Sequence, residues 1–164
     1  MDELWDKYRR NSKGWKHDPL AMVHPRIILG SCETIDLYIL STYNITHIVN
    51  CAEDSYGSKW FKDEFPDRYA CINAIDDAKE DITKWYSDFE KVMNTFLSSK
   101  DCKNIYVHCQ CGINRSAFLL LMYSCIKFGY TIETVAKNIL LQRPCCFTNP
   151  SFRKQAIQYI KKHE

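Results

Sequence analysis

The stretch N-I-Y-V-H-C-Q-C-G-I-N-R-S, residues 104–116, decides how this chain folds. A short apolar run at 105–107 opens it, and a strongly apolar stretch at 117–122 follows its last residue. This pattern predicts a buried strand, a tight loop and the start of a buried helix. Backbone N–H groups of such a loop point inward at a helix N-terminus, where the helix dipole also favours negative charge. We expect residues 109–115, here named the anion-binding loop, to hold one tetrahedral dianion.

Four residues of this stretch predict nucleophilic chemistry on the bound anion. Cys109 lies at the floor of the loop, where inward N–H groups favour thiolate over thiol. Arg115 offers a planar pair of donors to two oxygens of the anion, which Lys cannot do. Gly112 allows a positive φ or a close approach of the backbone, and Ser116 places a hydroxyl near the sulfur as it becomes a leaving group. A thiolate below a bound phosphate predicts a phospho-cysteine intermediate and hydrolysis without metal.

The motif H-C-Q-C-G-I-N-R-S occurs once in the chain and resembles the H-C-x-x-G-x-x-R-[ST] signature of cysteine-based protein tyrosine phosphatases. The short chain is similar to the dual-specificity branch, and the resemblance runs from about Pro25 to the C-terminus. R-I-I-L-G-S and I-T-H-I-V-N resemble that branch's first strand pair, and N-P-S-F-R-K-Q-A-I resembles its closing helix. The N-R-S ending and the N-P-S-F start are most similar to small poxvirus-type H1 phosphatases.

The resemblance implies a metal-independent phosphatase without cofactors, acting on phosphotyrosine and phosphoserine or phosphothreonine in proteins. It implies an intracellular enzyme located in the cytoplasm. The likeness to the H1 phosphatases further implies a viral protein, present in the host cell or in the virion. The implied catalytic residues are Cys109, Arg115, Asp76 and Ser116. The implied phosphate-binding residues are Gln110, Cys111, Gly112, Ile113, Asn114 and Arg115.

A general acid is needed because thiolate attack expels an alkoxide or phenoxide. Asp76 and Asp77 follow a predicted strand, and strand carboxyl ends gather the sites of α/β folds. In the resembling family the acid lies five residues before the polar residue that opens the next helix. Asp76 stands at that distance from Asp81, so we predict Asp76 as the acid, with Asp77 as the alternative.

Other polar residues of the motif and its surroundings receive structural interpretations. His108 is expected to support the loop by hydrogen bonds from behind, and Cys111 to contribute its backbone while its thiol fills space. Asn114 is expected to brace the loop. Arg143, next to a proline, is interpreted as a surface or sheet-edge charge. The solvated face of the C-terminal helix is expected to carry Lys154, Lys161 and Lys162.

Composition places the chain among globular proteins. Its 164 residues fit one domain, 46% of them are apolar, and the net charge of +2 gives no strong attraction to nucleic acid or to anionic membrane. No apolar run has the length of a membrane span, and the N-terminal residues do not resemble a signal peptide. Nine cysteines without a secretory signal predict reduced thiols, and their spacing does not favour a zinc site.

The N-terminal segment is predicted to be separate from the catalytic unit. Residues 2–10 form a short helix with an apolar face, and a polar stretch containing Gly14 and Pro19 reads as a linker. Such a helix is unstable alone, so it packs on its own domain or on a partner, for example a second copy in a homodimer. We favour packing on its own domain. The predicted division is 1–24, helix and linker, and 25–164, dual-specificity phosphatase catalytic domain.

The remaining pattern predicts an α/β fold: a single domain with a central mixed sheet of about four to five strands, flanked by helices, with the anion-binding loop between a strand and a helix. Strands are predicted at 26–30, 45–50, 69–74 and 105–107, and an irregular surface segment at 51–68. Helices are predicted at 33–43, from Ile82, to about Phe128, at 132–140 and from Pro150.

Alternative functions share parts of this pattern. An RNA 5′-phosphatase or triphosphatase has similar G-x-N-R-[ST] loops, but the His often found before Gly is Cys111 here, and the net charge is low. A phosphoinositide phosphatase would carry Lys inside the loop. A phosphopeptide-binding module would have a broken motif, whereas Cys109, Arg115 and Asp76 are all present. A sulfurtransferase-like enzyme shares the thiolate loop but does not need Asp76.

Overall fold

One mixed sheet of five strands forms the centre of the molecule. The computed structural model describes residues 2–14 and 16–164. The strands are β1 Ala21–His24, β2 Ile27–Gly30, β3 Ile45–Asn50, β4 Tyr69–Cys71 and β5 Asn104–His108, in the order β1-β2-β5-β3-β4. β1 runs antiparallel to β2, and the other neighbouring pairs are parallel. The predicted single-domain α/β fold with a mixed sheet of four to five strands is confirmed.

Helices cover both faces of this sheet. They are α1 Asp2–Tyr8, α2 Leu37–Thr42, α3 Lys59–Glu64, α4 Tyr86–Ser98, α5 Arg115–Phe128, α6 Ile132–Gln142 and α7 Pro150–Lys162. Side chains of α2 and α3 pack on one face around Ile48 and Tyr106, and the other five helices build the larger core on the opposite face. In the described part of the chain, no helix is long and apolar enough to cross a membrane.

β5 is the central strand, and it positions the anion-binding loop. It lies between β2 and β3, with Val107 opposite Leu29 on one side and Val49 on the other. All three of these side chains are fully buried, as expected for a parallel strand covered on both faces. The loop leads directly into α5, whose residues are buried from Arg115 to Cys125. The loop is therefore held between two buried elements at the carboxyl edge of the sheet.

Two elements that the sequence pattern missed are short. β1 is a four-residue edge strand whose side chains alternate between buried and exposed, too short for a clear period. α3 lies inside the stretch predicted as irregular, and it begins where the Ser58 hydroxyl accepts a hydrogen bond from the Phe61 N–H at 3.3 Å. A helix of only six residues that is started by a cap leaves little periodic signal in the sequence.

Other predicted boundaries move for local reasons. The third strand ends at Cys71 and not at residue 74, because Asn73 adopts a left-handed φ of 61°. α2 begins at Leu37 and not at residue 33, because Asp36 caps it by accepting from the Ile39 N–H at 2.8 Å. The helix predicted from residue 82 starts with a 3₁₀ turn, Ile82–Trp85, before α4 begins.

The N-terminal helix packs on its own chain. Trp5 is fully buried, with its ring centroid 5.1 Å from that of Phe147 and 6.5 Å from that of Phe118. β1 lies within residues 1–24, so that segment, predicted as helix and linker, also supplies a strand of the sheet. Trp15 of the predicted linker lies outside the described residues. The division at residue 24 stays a prediction.

Replacing Trp5 with Ala should lower the free energy of unfolding by about 3–5 kcal/mol, because a fully buried aromatic side chain leaves a cavity in the core. Urea unfolding measures the loss. Trp60→Ala is the matched control, because Trp60 is half exposed on α3, and its loss should stay at about 1 kcal/mol or less. Equal losses for the two variants would contradict the placement of α1 in the core.

Candidate active site

Cys109 follows β5 directly and lies at the floor of a cleft. Its side chain is 3% exposed. Its sulfur accepts hydrogen bonds from the Gly112 N–H at 3.2 Å and from the Ser116 hydroxyl at 3.3 Å. Gly112 reaches this position with a φ of 68°, and a Cβ there would lie 2.3 Å from the Gly30 carbonyl oxygen. Two hydrogen-bond donors are therefore aimed at one buried sulfur.

The carbonyl groups of the anion-binding loop all accept hydrogen bonds on the side away from the cleft. In a trans peptide the C=O and the next N–H point in opposite directions, so outward carbonyls turn the N–H groups of residues 110–115 toward the cleft. The acceptor and donor pairs are Cys109 O with His108 Nδ1 (2.8 Å), Gln110 O with Cys32 N (3.1 Å), Cys111 O with Arg143 Nη2 (2.7 Å), Gly112 O with Arg143 Nε (2.8 Å), Ile113 O with Phe147 N (2.8 Å) and Asn114 O with Phe118 N (2.8 Å).

Arg115 begins α5 and extends beside the cysteine. Its Nη1 donates to the Ala74 carbonyl at 3.0 Å and to the Glu53 carboxylate at 3.2 and 3.4 Å. Its Nε is buried and has no hydrogen-bond partner among the described residues. Burial opposes the charge of Arg115, but the charges of Cys109 and Glu53 outweigh it and raise the pKa of the guanidinium. One edge of the guanidinium is held by the protein, and its Nε is available to an anion.

Glu53 is a site residue that the sequence analysis missed. It follows the carboxyl end of β3, the strand beside β5, where side chains of neighbouring parallel strands converge. Residues that follow the carboxyl ends of parallel strands gather at one edge of the sheet, and this signal points to Glu53 as it does to Asp76. The Asn50 side chain shapes this turn, because its Nδ2 donates to the Glu53 carbonyl at 2.9 Å and its Oδ1 accepts from the Ala52 N–H at 2.9 Å.

Asp76 and Asp77 lie in different environments. Asp76 lines the cleft with Cys109, and its carboxylate accepts hydrogen bonds from Asn114 Nδ2 and Asn149 Nδ2, both at 3.0 Å. Asp77 accepts from the Lys79 N–H at 2.8 Å and so closes its own turn. The structure brings Asp76, and not its neighbour, to the sulfur's side of the cleft.

Asn114 braces the end of the anion-binding loop. Its Oδ1 accepts from the N–H groups of Thr148 at 2.8 Å and of Asn149 at 3.0 Å, while its Nδ2 donates to Thr148 Oγ1 and to Asp76. Asn149 also caps α7, accepting from two N–H groups of that helix. Phe147, just before them, has a φ of 70°, an unusual conformation for an aromatic residue. The loop, Asp76 and α7 are thus fixed to one another.

The cleft above Cys109 has a volume of about 380 Å³ and is lined from four short stretches of the chain. Its charged groups are the carboxylates of Glu53 and Asp76 and the guanidinium of Arg115. Cys111 lies at the edge of the cleft, where burial and then the charge of Cys109 raise the pKa of its thiol to about 11. The neutral lining residues are Tyr56, Ile75, Cys109, Gln110, Cys111, Ile113, Asn114 and Thr148.

The interpretation of Arg143 as a surface or sheet-edge charge is wrong. Its side chain is fully buried behind the anion-binding loop. Residues after α6 turn back beneath the loop, so the guanidinium meets four backbone carbonyls, two of them in the loop and two at Asp18 and Pro19. The lysines at 154, 161 and 162 are exposed on α7, as predicted.

No group of three or more His, Cys, Asp or Glu side chains within residues 2–14 and 16–164 is arranged to hold a metal ion. All nine cysteines lie in the described ranges as free thiols.

Comparisons with known proteins agree on one family. The model of the family "Dual specificity phosphatase, catalytic domain" matches residues 27–162. Dual specificity protein phosphatase 4 of Homo sapiens is 30% identical over 122 residues, 74% of this chain and 29% of that protein. A probable dual specificity protein phosphatase of Dictyostelium discoideum is 28% identical over 145 residues, 88% of this chain and 34% of that protein. The chain thus spans about a third of the length of these relatives.

Solved structures show the same fold. Human DUSP28 aligns with a TM-score of 0.74 at 22% identity, covering 88% of this chain and 94% of that one. DUSP15 aligns with a TM-score of 0.71 at 25% identity, covering 86% of each chain.

His108 should make stability depend on pH. Complete burial lowers the pKa of His108 to about 4, below the ordinary value of 6.5. The unfolded chain then takes up the proton first, so stability is retained above pH 6.5 and falls as the pH drops toward 4. Between pH 7 and pH 5 the loss should be about 2 kcal/mol. Urea unfolding at both pH values measures it. The His108→Asn variant should lose less free energy of unfolding between pH 7 and pH 5. A loss identical to that of the parent would contradict the assignment of this pH dependence to His108.

Proposed function

Because the chain belongs to the family of dual specificity phosphatase catalytic domains, we propose that it hydrolyses phosphotyrosine and phosphoserine or phosphothreonine esters in proteins. The observation that carries the proposal is the set of outward loop carbonyls, which turns the N–H groups of residues 110–115 toward the cleft above Cys109. These groups and the Nε of Arg115 match the terminal oxygens of a phosphate monoester.

The first chemical step is attack of the Cys109 thiolate on phosphorus. A sulfur–phosphorus bond forms, the ester oxygen–phosphorus bond breaks, and the departing oxygen takes a proton from the Asp76 carboxyl. This role of Asp76 is supported by its position in the lining of the cleft, where Asn114 and Asn149 hold its carboxyl group. The N–H groups of the loop and Arg115 stabilise the charge on the equatorial oxygens.

The second step releases phosphate from the sulfur. A water molecule loses its proton to the Asp76 carboxylate and attacks phosphorus, and the sulfur–phosphorus bond breaks. The Ser116 hydroxyl, 3.3 Å from the sulfur, donates a hydrogen bond to the departing thiolate. No metal or cofactor takes part in this scheme.

The charges of the cleft support a protein substrate over a polyanionic one. Arg115 is the one cation among the described lining residues, and it shares the cleft with the carboxylates of Glu53 and Asp76. An RNA 5′-triphosphate or a phosphoinositide would bring several further negative charges to a cleft whose described lining residues include a single cation. A phosphopeptide-binding module would have no need of the intact set of nucleophile, clamp and acid. The phosphoprotein phosphatase therefore has the stronger support.

Three finer assignments stay predictions. The similarity to small poxvirus-type H1 phosphatases, and with it a viral origin, rests on the short N-R-S and N-P-S-F stretches. The intracellular location of the protein is supported by the reduced state that the sequence predicts for its cysteines. A homodimer through the N-terminal helix has less support, because Trp5 already packs in the core of its own chain.

The proposed function is tested by comparing three substrates with one preparation. A phosphotyrosine peptide and a phosphothreonine peptide should be hydrolysed, with and without EDTA, and an RNA 5′-triphosphate should be turned over at least about 100-fold more slowly. Cys109→Ser should bind the peptides and abolish turnover, because the loop donors remain and the nucleophile is lost. Faster turnover of the RNA, or activity of the Ser variant within tenfold of the parent, would contradict the proposal.

Asp76→Asn should slow phosphopeptide hydrolysis by roughly 10²–10⁴-fold, the range for a lost general acid. An aryl phosphate with a very acidic phenol should be much less affected, because that phenol departs without a proton. Asp77→Asn is the matched control and should change neither rate by more than about twofold, since Asp77 closes its own turn. Exchanged results for the two variants would assign the acid to Asp77.

A further inference from the structure

Arg143 donates hydrogen bonds to the anion-binding loop from the side opposite the cleft. Its Nη2 donates to the carbonyl oxygen of Cys111 at 2.7 Å, and its Nε donates to that of Gly112 at 2.8 Å. The two acceptors belong to consecutive peptide groups, and the two donors lie on one edge of a planar guanidinium. The fully buried guanidinium of Arg143 is thus hydrogen-bonded to two neighbouring carbonyls of the loop.

The orientation of these carbonyls fixes the N–H groups that follow them. In a trans peptide, holding the Cys111 carbonyl outward turns the Gly112 N–H inward, and that N–H donates to the Cys109 sulfur at 3.2 Å. Holding the Gly112 carbonyl outward does the same for the Ile113 N–H. The contact is close because residue 112 lacks a side chain, since a Cβ there would lie 2.7 Å from Nη2.

The other end of the guanidinium is anchored on the N-terminal segment. Nη1 donates to the carbonyls of Pro19 at 2.7 Å and of Asp18 at 3.3 Å. Asp18 is itself buried, and its carboxylate accepts hydrogen bonds from the Ser12 hydroxyl and from the Lys13 N–H. The plane of the guanidinium is therefore fixed by backbone from outside the predicted catalytic unit.

We propose that Arg143 is a positioning residue for the phosphatase reaction, holding the peptide groups of Cys111 and Gly112 so that two consecutive N–H groups face the sulfur and the phosphate. This role rests on the proposed function and adds a residue to it. Lys presents a single point charge and cannot hold two carbonyls along one edge. A positive charge alone therefore does not orient the two peptide groups.

The test compares Arg143→Lys and Arg143→Gln with Arg26→Lys in the full chain. Arg26 is a matched control because it also donates to three backbone carbonyls, those of Leu97, Cys102 and Lys103, at the opposite end of β5. The readouts are kcat and KM for an aryl phosphate with an acidic phenol, the Kd of inorganic phosphate from its effect on Tm, and the free energy of unfolding. The kinetic constants and the free energy of unfolding are measured at 15 °C, below the unfolding transition, and Tm is taken from temperature scans with and without phosphate.

Arg143→Lys should lower kcat about 10–100-fold and weaken inorganic phosphate binding about tenfold, because displaced donors fit both the ground state and the transition state poorly. Arg143→Gln should lower kcat and weaken phosphate binding by at least as much. Arg26→Lys should change kcat and the Kd of phosphate by less than about twofold, whatever stability it loses. The phosphate measurement needs no turnover, so an inactive parent that binds phosphate would refute the proposed function and leave Arg143 to be decided by the Kd values.

Unchanged kcat and phosphate Kd in folded Arg143 variants would overturn the proposal and leave Arg143 a structural residue. Equal catalytic losses in Arg26→Lys would overturn it as well. Unfolding of both Arg143 variants at 15 °C would also count against it, because the proposal assigns Arg143 to the loop and not to the fold as a whole.

Discussion

The orientation of six consecutive peptide groups is the constraint on which this structure depends. Donors can face an anion only if the attached carbonyls face the other way, and buried carbonyls must themselves be hydrogen-bonded. The chain meets this condition at every residue from Cys109 to Asn114, with donors drawn from a histidine, an arginine and three separate stretches of backbone. The geometry around Cys109 therefore depends on residues that do not line the cleft.

The same supporting contacts also position Asp76, the proposed general acid. Asn114 belongs to the loop, yet its side chain contacts Asp76 and the chain that leads into α7. Phe147 donates its N–H to the loop and keeps its ring in the core against Trp5, at the cost of a left-handed backbone. Packing of the N-terminal helix, the geometry of the loop and the placement of Asp76 are thus parts of one connected unit.

How far the sequence predicts this structure depends on the range of each interaction. The central strand, the loop and the buried helix are encoded in adjacent residues, and spacing alone favoured Asp76 over Asp77. Glu53 and Arg143 were missed because their roles arise from partners 62 and about 31 residues away in the chain. A proline after Arg143 reads locally as surface chain, and nothing nearby in the sequence shows that the segment turns beneath the loop.

The distance along the chain between the loop and Arg143 has a consequence for synthesis on the ribosome. Arg143 is added 31 residues after Gly112. At about 5–20 residues per second, this interval lasts roughly 2–6 s, and emergence from the ribosome comes later still. During that time the cysteine is present without two of the hydrogen bonds that orient its surrounding peptides. A nascent chain thus contains Cys109 before it contains Arg143, and the loop reaches its full set of hydrogen bonds only when most of the domain has been made.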